Sequence, residues 1–221
     1  MKEIYLETLE KNQEIIDMLN FANEQMKSIG YTEHGFRHSI VVAKRTKQIL
    51  KDLNYDNHIY EMGGIAGLLH DLGNSILRHN HAETGAIIAL NFMLKYHCTM
   101  SDAIKVASAI ANHDERHGQP IHELAAALII ADKSDAHRSR VQDTPDSETF
   151  DIHDKVNASV TDNKLIIDSE KRNILLKMTI DQNIAKVRDY FLLFIDRVKL
   201  CEQSAKVLNA TFTLNINGQD M

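Results

Sequence analysis

A chain of 221 residues, 43% hydrophobic and 25% charged, can form one sizeable soluble core or a main domain with a small appendage. Its formal net charge of -6 argues against the broad basic face of a general DNA or RNA binder, but it leaves room for a local cationic site that takes a small anion. Apolar runs such as "AAALIIA" (125–131) fall far short of the ~20 residues that span a bilayer, and two cysteines, Cys98 and Cys201, exclude a disulfide framework or a thiolate zinc site.

The start, "MKEIYLETLE", is amphipathic and acidic, with no signal-peptide hydrophobic region, so a reducing cytoplasm is the expected compartment. Leu6, Leu9, Ile16, Leu19, Met26 and Ile29 recur at helical spacing over 5–29, and Gly30 closes that helix. Further helices are predicted over 36–52, 57–71, 81–97, 101–113 and 121–138, with Thr99 or Ser101 capping the fifth. Gly73-Asn74 and Gly118-Gln119-Pro120 supply breaks, while Gly63 and Gly64 mark close helix packing. "VQDTPDSETFD" (141–151) reads as a polar linker carrying the second proline.

After the linker the period changes. "VNASV", "KLIID" and "ILLKMTI" read as short strands separated by "TDN" and "SEKRN" turns. A long helix follows over 182–208, its apolar face running from Ile184 and Val187 through Phe194, Ile195 and Cys201 to Leu208. "TFTLNIN" alternates as a strand, turning Phe212, Leu214 and Ile216 inward. The expected fold is mainly α: a helical bundle over 1–145, then a small α+β module over 146–221.

Histidine is the unusual residue. Of 12, 11 lie before residue 140. In "GLLHDLGNS" (67–75) an apolar helix end runs straight into His70 and Asp71, and a carboxylate beside a core must be paired, hydrogen-bonded or bound to a metal. Similar donors recur in "HGFRHS", "HNHAETG", "NHDERHG" and "ADKSDAHRSR". Each is ambiguous alone, since a helix-end acid or a capping histidine accounts for any one of them.

Taken in order, the words "FRHSIVVA", "GLLHDLG", "HAETGA", "ANHDE" and "IIADKSDA" resemble the HD superfamily of metal-dependent phosphohydrolases over about 36–140. The resemblance implies a primary metal site at His38, His70, Asp71 and Asp132. It implies a second ion at His81 and His113, with Asp71 bridging. His81 is preferred to His79 because "HAETGA" is the family-like word. The chain departs from the HD-GYP subgroup, having Asn74 after the HD word, Asn112 in place of a paired histidine and no Gly-Tyr-Pro word. Asn112 leaves the second ion a ligand short, or with water in that place.

The implied activity is hydrolysis of a small phosphate ester, by a phosphatase or phosphodiesterase and with a nucleotide among the candidates. Water bound to such ions has its pKa lowered toward ~7, giving hydroxide at neutral pH. One or two divalent transition-metal ions are expected, because imidazole and carboxylate donors without thiolate suit Fe, Mn, Zn or Ni better than Cu(I), Ca or Mg; Fe or Mn is the first choice, with Zn or Ni as alternatives. Asp71 carries the chemistry, with Lys133 and Arg78 the first choices for phosphate contact; Arg37, Arg116, Arg138 and Arg140 are further cations nearby. His34, four residues before His38, is disfavoured as a ligand by Gly35, whereas His117 and His122 are expected at the pocket mouth. His58, His97, His137 and His153 read as structural or exposed. Two other readings stand beside this one. A diiron HD-type oxygenase would use the same ligand words, and a non-catalytic metal-stabilised regulatory module would use the tail as its contact surface. No nucleic-acid polymer or membrane partner is expected, and a homodimer through the 182–208 helix is an open use of its apolar face.

Overall fold

The computed structural model describes residues 5–144 and 146–221, so the first four residues of the acidic start and the linker's Pro145 lie outside it. The predicted opening helix is two, α1 (Leu6–Leu9) and α2 (Gln13–Ser28). Asn12 causes the break, because its side chain accepts a hydrogen bond from Ile15 N and so caps a new helix. There follow α3 (Phe36–Asp52), α4 (Asn57–Leu69), a 3-10 turn (Leu72–Ser75), α5 (His81–Lys95) and α6 (Met100–Ala111, capped by Thr99). α7 (Glu123–Lys133) stops five residues short of its predicted end. Ser134 turns its hydroxyl back onto Ala131 O, and a 3-10 turn over Arg138–Arg140 takes over.

The tail differs more. "VNASV" is not a strand: its first four residues lie in α8 (Ile152–Ser159), and only Val160 is extended. The Asp151 carboxylate accepts from His153 N and Asp154 N, and the Asp154 carboxylate accepts from Asp151 N. This capping box starts a helix where β-branched residues alone suggested a strand. "TDN" is not a turn either; β1 (Val160–Asp168) runs through it, with a register shift between Val160 and Asp162. β1 pairs antiparallel with β2 (Asn173–Ile180), and β2 pairs parallel with β3 (Thr211–Ile216) across the crossover helix α9 (Val187–Val207). β4 (Gln219–Asp220) adds an antiparallel edge, completing a four-stranded mixed sheet in the order β1-β2-β3-β4. Leu214 and Ile216 are buried and Phe212 half-buried. Ile184 and Ile195 were expected on the inner face of the long helix and instead stand exposed; α9 begins at Val187, where Asp189 accepts from Lys186 N, and turns Tyr190, Phe194 and Cys201 inward.

α9 packs on both α7 and β3, and one apolar cluster is continuous from Leu6 to Ile216. Nearly every residue of α4 from Glu61 onward is buried, which is why its periodicity is faint in the sequence. α4 lies so close to α3 that a Cβ on Gly67 would stand 2.6 Å from the Cα of Ala43. The tightest approach comes after α4, where a Cβ on Gly73 would stand 1.9 Å from the carbonyl oxygen of His81. The 3-10 turn is thereby pressed against the start of α5.

Gly73→Ala is expected to destabilise the fold by ~2 kcal/mol or more, because the obstacle is backbone and cannot swing aside. Gly218→Ala, where nothing lies within 4 Å and only a φ of +85° is at stake, should cost about 1 kcal/mol. Urea unfolding of the two variants checks the ranking, and equal losses would contradict it.

Candidate metal centre

Five elements deliver donors to one place. His38 comes from the first turn of α3, His70 and Asp71 from the end of α4, and His81 from the start of α5. His113 comes from just past α6 and Asp132 from the last turn of α7. All six predicted residues meet. His38 Nε2 is 3.2 Å from Asp132 Oδ1 and 3.8 Å from Asp71 Oδ2, and His70 Nε2 is 3.4 Å from the same Asp71 oxygen. The other Asp71 oxygen, Oδ1, faces His81 Nε2 at 3.6 Å and His113 Nε2 at 4.0 Å. The carboxylate thus divides the histidines into two pairs.

The outer nitrogens explain how the rings are aimed. His70 Nδ1 lies 2.8 Å from Gly67 O, His81 Nδ1 3.2 Å from Arg78 O and His113 Nδ1 2.6 Å from Ile110 O. A carbonyl oxygen can only accept, so each Nδ1 carries the proton and each neutral ring presents its Nε2 lone pair to the centre. His38 is held in the same way by Asp135 Oδ2 at 2.7 Å, and Arg37 steadies that carboxylate at 2.9 Å. Among the described residues, His38 Nε2, His70 Nε2 and Asp71 Oδ2 are buried without a hydrogen-bond partner. Three buried lone pairs facing one another are costly unless a cation lies between them. Three overlapping groups, His38–His70–Asp71, His70–His113–Asp132 and Asp71–His81–His113, each keep their donor atoms within 4.8 Å of one another. The residues present therefore fit a divalent metal.

Burial alone would raise the Asp71 carboxyl, but His70 beside it, with His34 and His81, holds it well below the ordinary carboxylate range. Burial would likewise raise Asp132, and Lys133 and His38 outweigh it. Both are ready anionic donors. Asn74 donates to Asp71 Oδ1 at 2.7 Å and accepts from Arg78 at 3.1 Å, which fixes the carboxylate's rotation. Sequence reasoning used Asn74 only to separate subgroups; its fixed spacing from Asp71 in the 3-10 turn gives it this positioning task. Asn112 donates to Ser108 O and closes α6.

Above the cluster is a narrow throat of about 20 Å³, opening beside two outer cavities of about 340 and 300 Å³. The throat's anionic lining is Asp71, Asp114, Glu115 and Asp132; its cationic lining is Arg78, Lys133, Arg140 and Arg197. Lys133 is buried and pairs with Asp132 at 2.8 Å and Glu115 at 2.7 Å. Arg78 lies over the Tyr31 ring at 5.0 Å. Glu115 was not singled out from the sequence, and neither was Arg197 of α9, which pairs with it at 3.0 Å. Burial would raise Glu115, but Lys133 and Arg197 hold it at about 2, so it is ionised at neutral pH.

The remaining candidates separate cleanly. Arg140 directs its guanidinium at Glu33 O and Asp135 O, while Arg116 lines both outer cavities. His34 lines the throat but is not in the donor clusters; His79 lines only the smaller cavity, in keeping with the choice of His81. His117 also lines that cavity, as expected. His122 was expected at the mouth; instead its Nδ1 accepts from Ala125 N and caps α7. His153 is exposed, as expected, and lines the larger cavity beside Phe194. His58 pairs with Asp102 and His137 caps the Arg138–Arg140 turn.

The family model for the HD domain matches residues 35–137, the span that contains all six clustered residues. An uncharacterized protein of Methanocaldococcus jannaschii is 26% identical over 180 residues, covering 72% of this chain and 69% of its own length. The crystal structure of a predicted HD superfamily hydrolase from an uncultured Thermotogales bacterium is 25% identical, with a TM-score of 0.44, covering 59% of this chain and 73% of that one.

The cluster makes stability depend on pH once metal is chelated. Burial, with His70 and His81 nearby, pushes His113 down from 6.5 to about 3. The unfolded chain therefore binds a proton near pH 6.5 that the folded chain refuses until about pH 3, and stability falls as pH drops through that window. His70, raised by Asp71 against the effect of burial, acts in the opposite sense: its contribution is full below 6.5 and is lost as pH rises through its folded value. In urea unfolding at stepped pH, His113→Gln should flatten the acid-side slope by up to ~1.4 kcal/mol per pH unit. An unchanged slope would count against this assignment.

Proposed function

We propose that this chain, whose residues 35–137 are an HD domain, hydrolyses a small phosphate ester using one or two divalent metal ions held at the histidine–aspartate cluster. The observation that carries the reading is the set of partnerless buried lone pairs on His38, His70 and Asp71, with the Asp71 carboxylate lining a throat that also holds Arg78, Lys133, Arg140 and Arg197. Acidic and basic residues balance in the throat lining, so one or two divalent ions would leave it net cationic and selective for an anion.

His38, His70, Asp71 and Asp132 would hold one ion; Asp71, His81 and His113 would hold the other. Donors of imidazole and carboxylate, without thiolate, suit Fe, Mn, Zn or Ni better than Cu(I) or Ca, and Fe or Mn is the first choice among them. When bound, such ions supply a lowered water pKa and polarisation of a phosphoryl oxygen. The protein's own part is orientation. Four Nδ1 hydrogen bonds aim the rings, Asn74 fixes Asp71, and the Asp132–Lys133–Glu115 pairing keeps a buried ammonium charged at the throat. Burial would lower Lys133, but Asp132 and Glu115 raise it, so the ammonium persists at neutral pH and with Arg78 would contact the phosphoryl oxygens. A larger cavity of about 340 Å³ lies at the low end of the usual range for ligand sites, which suits a compact substrate.

The test is hydrolysis of p-nitrophenyl phosphate and bis-p-nitrophenyl phosphate by Mn- and Fe-loaded protein under anaerobic conditions, with metal content measured in parallel. Wild type should turn over at least one ester without O₂. Asp71→Ala should lose bound metal and at least ~100-fold in rate while its far-UV circular dichroism stays helical. Full activity in that variant would overturn the proposal, as would failure of the wild type to cleave either ester anaerobically while the Fe-loaded protein consumes O₂ in a parallel aerobic assay.

A further inference from the structure

We propose that Arg197, carried by α9, is a substrate-binding residue that grips the anionic group from the C-terminal side, so that the β-sheet module supplies part of the substrate site. This inference rests on the phosphohydrolase reading above and extends it to a residue 60 positions beyond the end of the HD match.

The throat and the larger cavity share three guanidinium groups, those of Arg78, Arg140 and Arg197. They are not equivalent. Arg140 is buried, with Nε, Nη1 and Nη2 all directed at the backbone oxygens of Glu33 and Asp135, so it serves the fold. Arg78 belongs to the chain of contacts behind Asp71, through Asn74. Among the described residues, Arg197 is the only one lining the throat from beyond position 140. Its guanidinium lies 4.4 Å from the Phe194 ring centre, and Nε and Nη2 donate to a single oxygen, Glu115 Oε1, at 3.2 and 3.0 Å. Nη1 makes no hydrogen bond among the described residues.

That arrangement orients the fork before any ligand arrives. A planar guanidinium held on one edge by a carboxylate and on one face by a ring loses little freedom when its open edge meets a phosphoryl group. Glu115 also bonds Lys133, so one carboxylate aligns two cations on the same anion position. Phe194 lines the cavity beside them and offers an apolar wall to the ester's organic part.

A purely structural strut between Glu115 and α9 is the competing explanation, and the experiment separates the two. The probe is orthophosphate, titrated calorimetrically into metal-loaded full chain, together with KM and kcat for whichever p-nitrophenyl ester the wild type hydrolyses. Arg197→Ala and Arg197→Gln should each weaken orthophosphate binding and raise KM about tenfold or more, with metal content unchanged and kcat little affected. Arg197→Lys should recover part of the loss. Glu115→Gln combined with Arg197→Ala should stay weak, because removing the carboxylate does not replace the lost donor. Unchanged orthophosphate affinity in Arg197→Ala and Arg197→Gln would overturn the assignment, and so would full recovery in the double variant, which would mean that Arg197 only screens Glu115. A wild type that neither binds orthophosphate nor hydrolyses an ester would instead bring down the phosphohydrolase reading, and this inference with it.

Discussion

Buried imidazoles whose Nδ1 protons are already committed leave their Nε2 lone pairs pointing into the protein, and the rest of this structure is arranged around that constraint. Asp71 stands among four such rings, with one oxygen toward His38 and His70 and the other toward His81 and His113. Without a cation these atoms repel one another in a medium that screens poorly. The backbone carbonyls of Gly67 and Ile110 belong to the last turns of α4 and α6, and that of Arg78 to the loop just before α5, so the aim of these donors is set by where their helices stop or start. Asp135, paired with Arg37, does the same for His38 from a side chain.

Placing five helix ends at one point demands close packing around it. Gly67 lets α4 touch the backbone of α3, and Gly73 lets the following 3-10 turn touch the carbonyl of His81. A methyl group at either position would separate elements whose donors lie within a few ångströms of one another. The alanine-rich interior of α7 serves the same end, since Ala125, Ala126, Ala127 and Ala131 are all fully buried and carry little bulk.

The C-terminal module is joined to this centre by more than apolar contact. α9 lies against α7, the helix that carries Asp132 and Lys133, and Arg197 meets Glu115 just beyond His113. A continuous set of ion pairs therefore runs from Asp132 through Lys133 and Glu115 to Arg197. The throat is walled on one side by the bundle and on the other by a helix whose own strands lie outside the matched domain.

The sequence by itself determined the helical bundle from 36 to 133 and the six residues that cluster. Helical periodicity and N-cap residues are local signals, and His38, His70, Asp71, His81, His113 and Asp132 sit in recognisable words. It misread "VNASV" because the β-propensity there was weaker than a capping box formed by Asp151 and Asp154, and it misread "TDN" as a turn because the polar residues gave no local sign of their pairing with β2. Tertiary structure alone decided that His122 caps a helix and His153 lines a cavity, that Asn74 and Asp135 orient the donors, and that Glu115 and Arg197 meet across 82 residues of chain. The physical reason is separation. A cap or a helical face is written within a few consecutive residues, whereas a salt bridge between a loop and a distant helix exists only once the packing between them has set their distance.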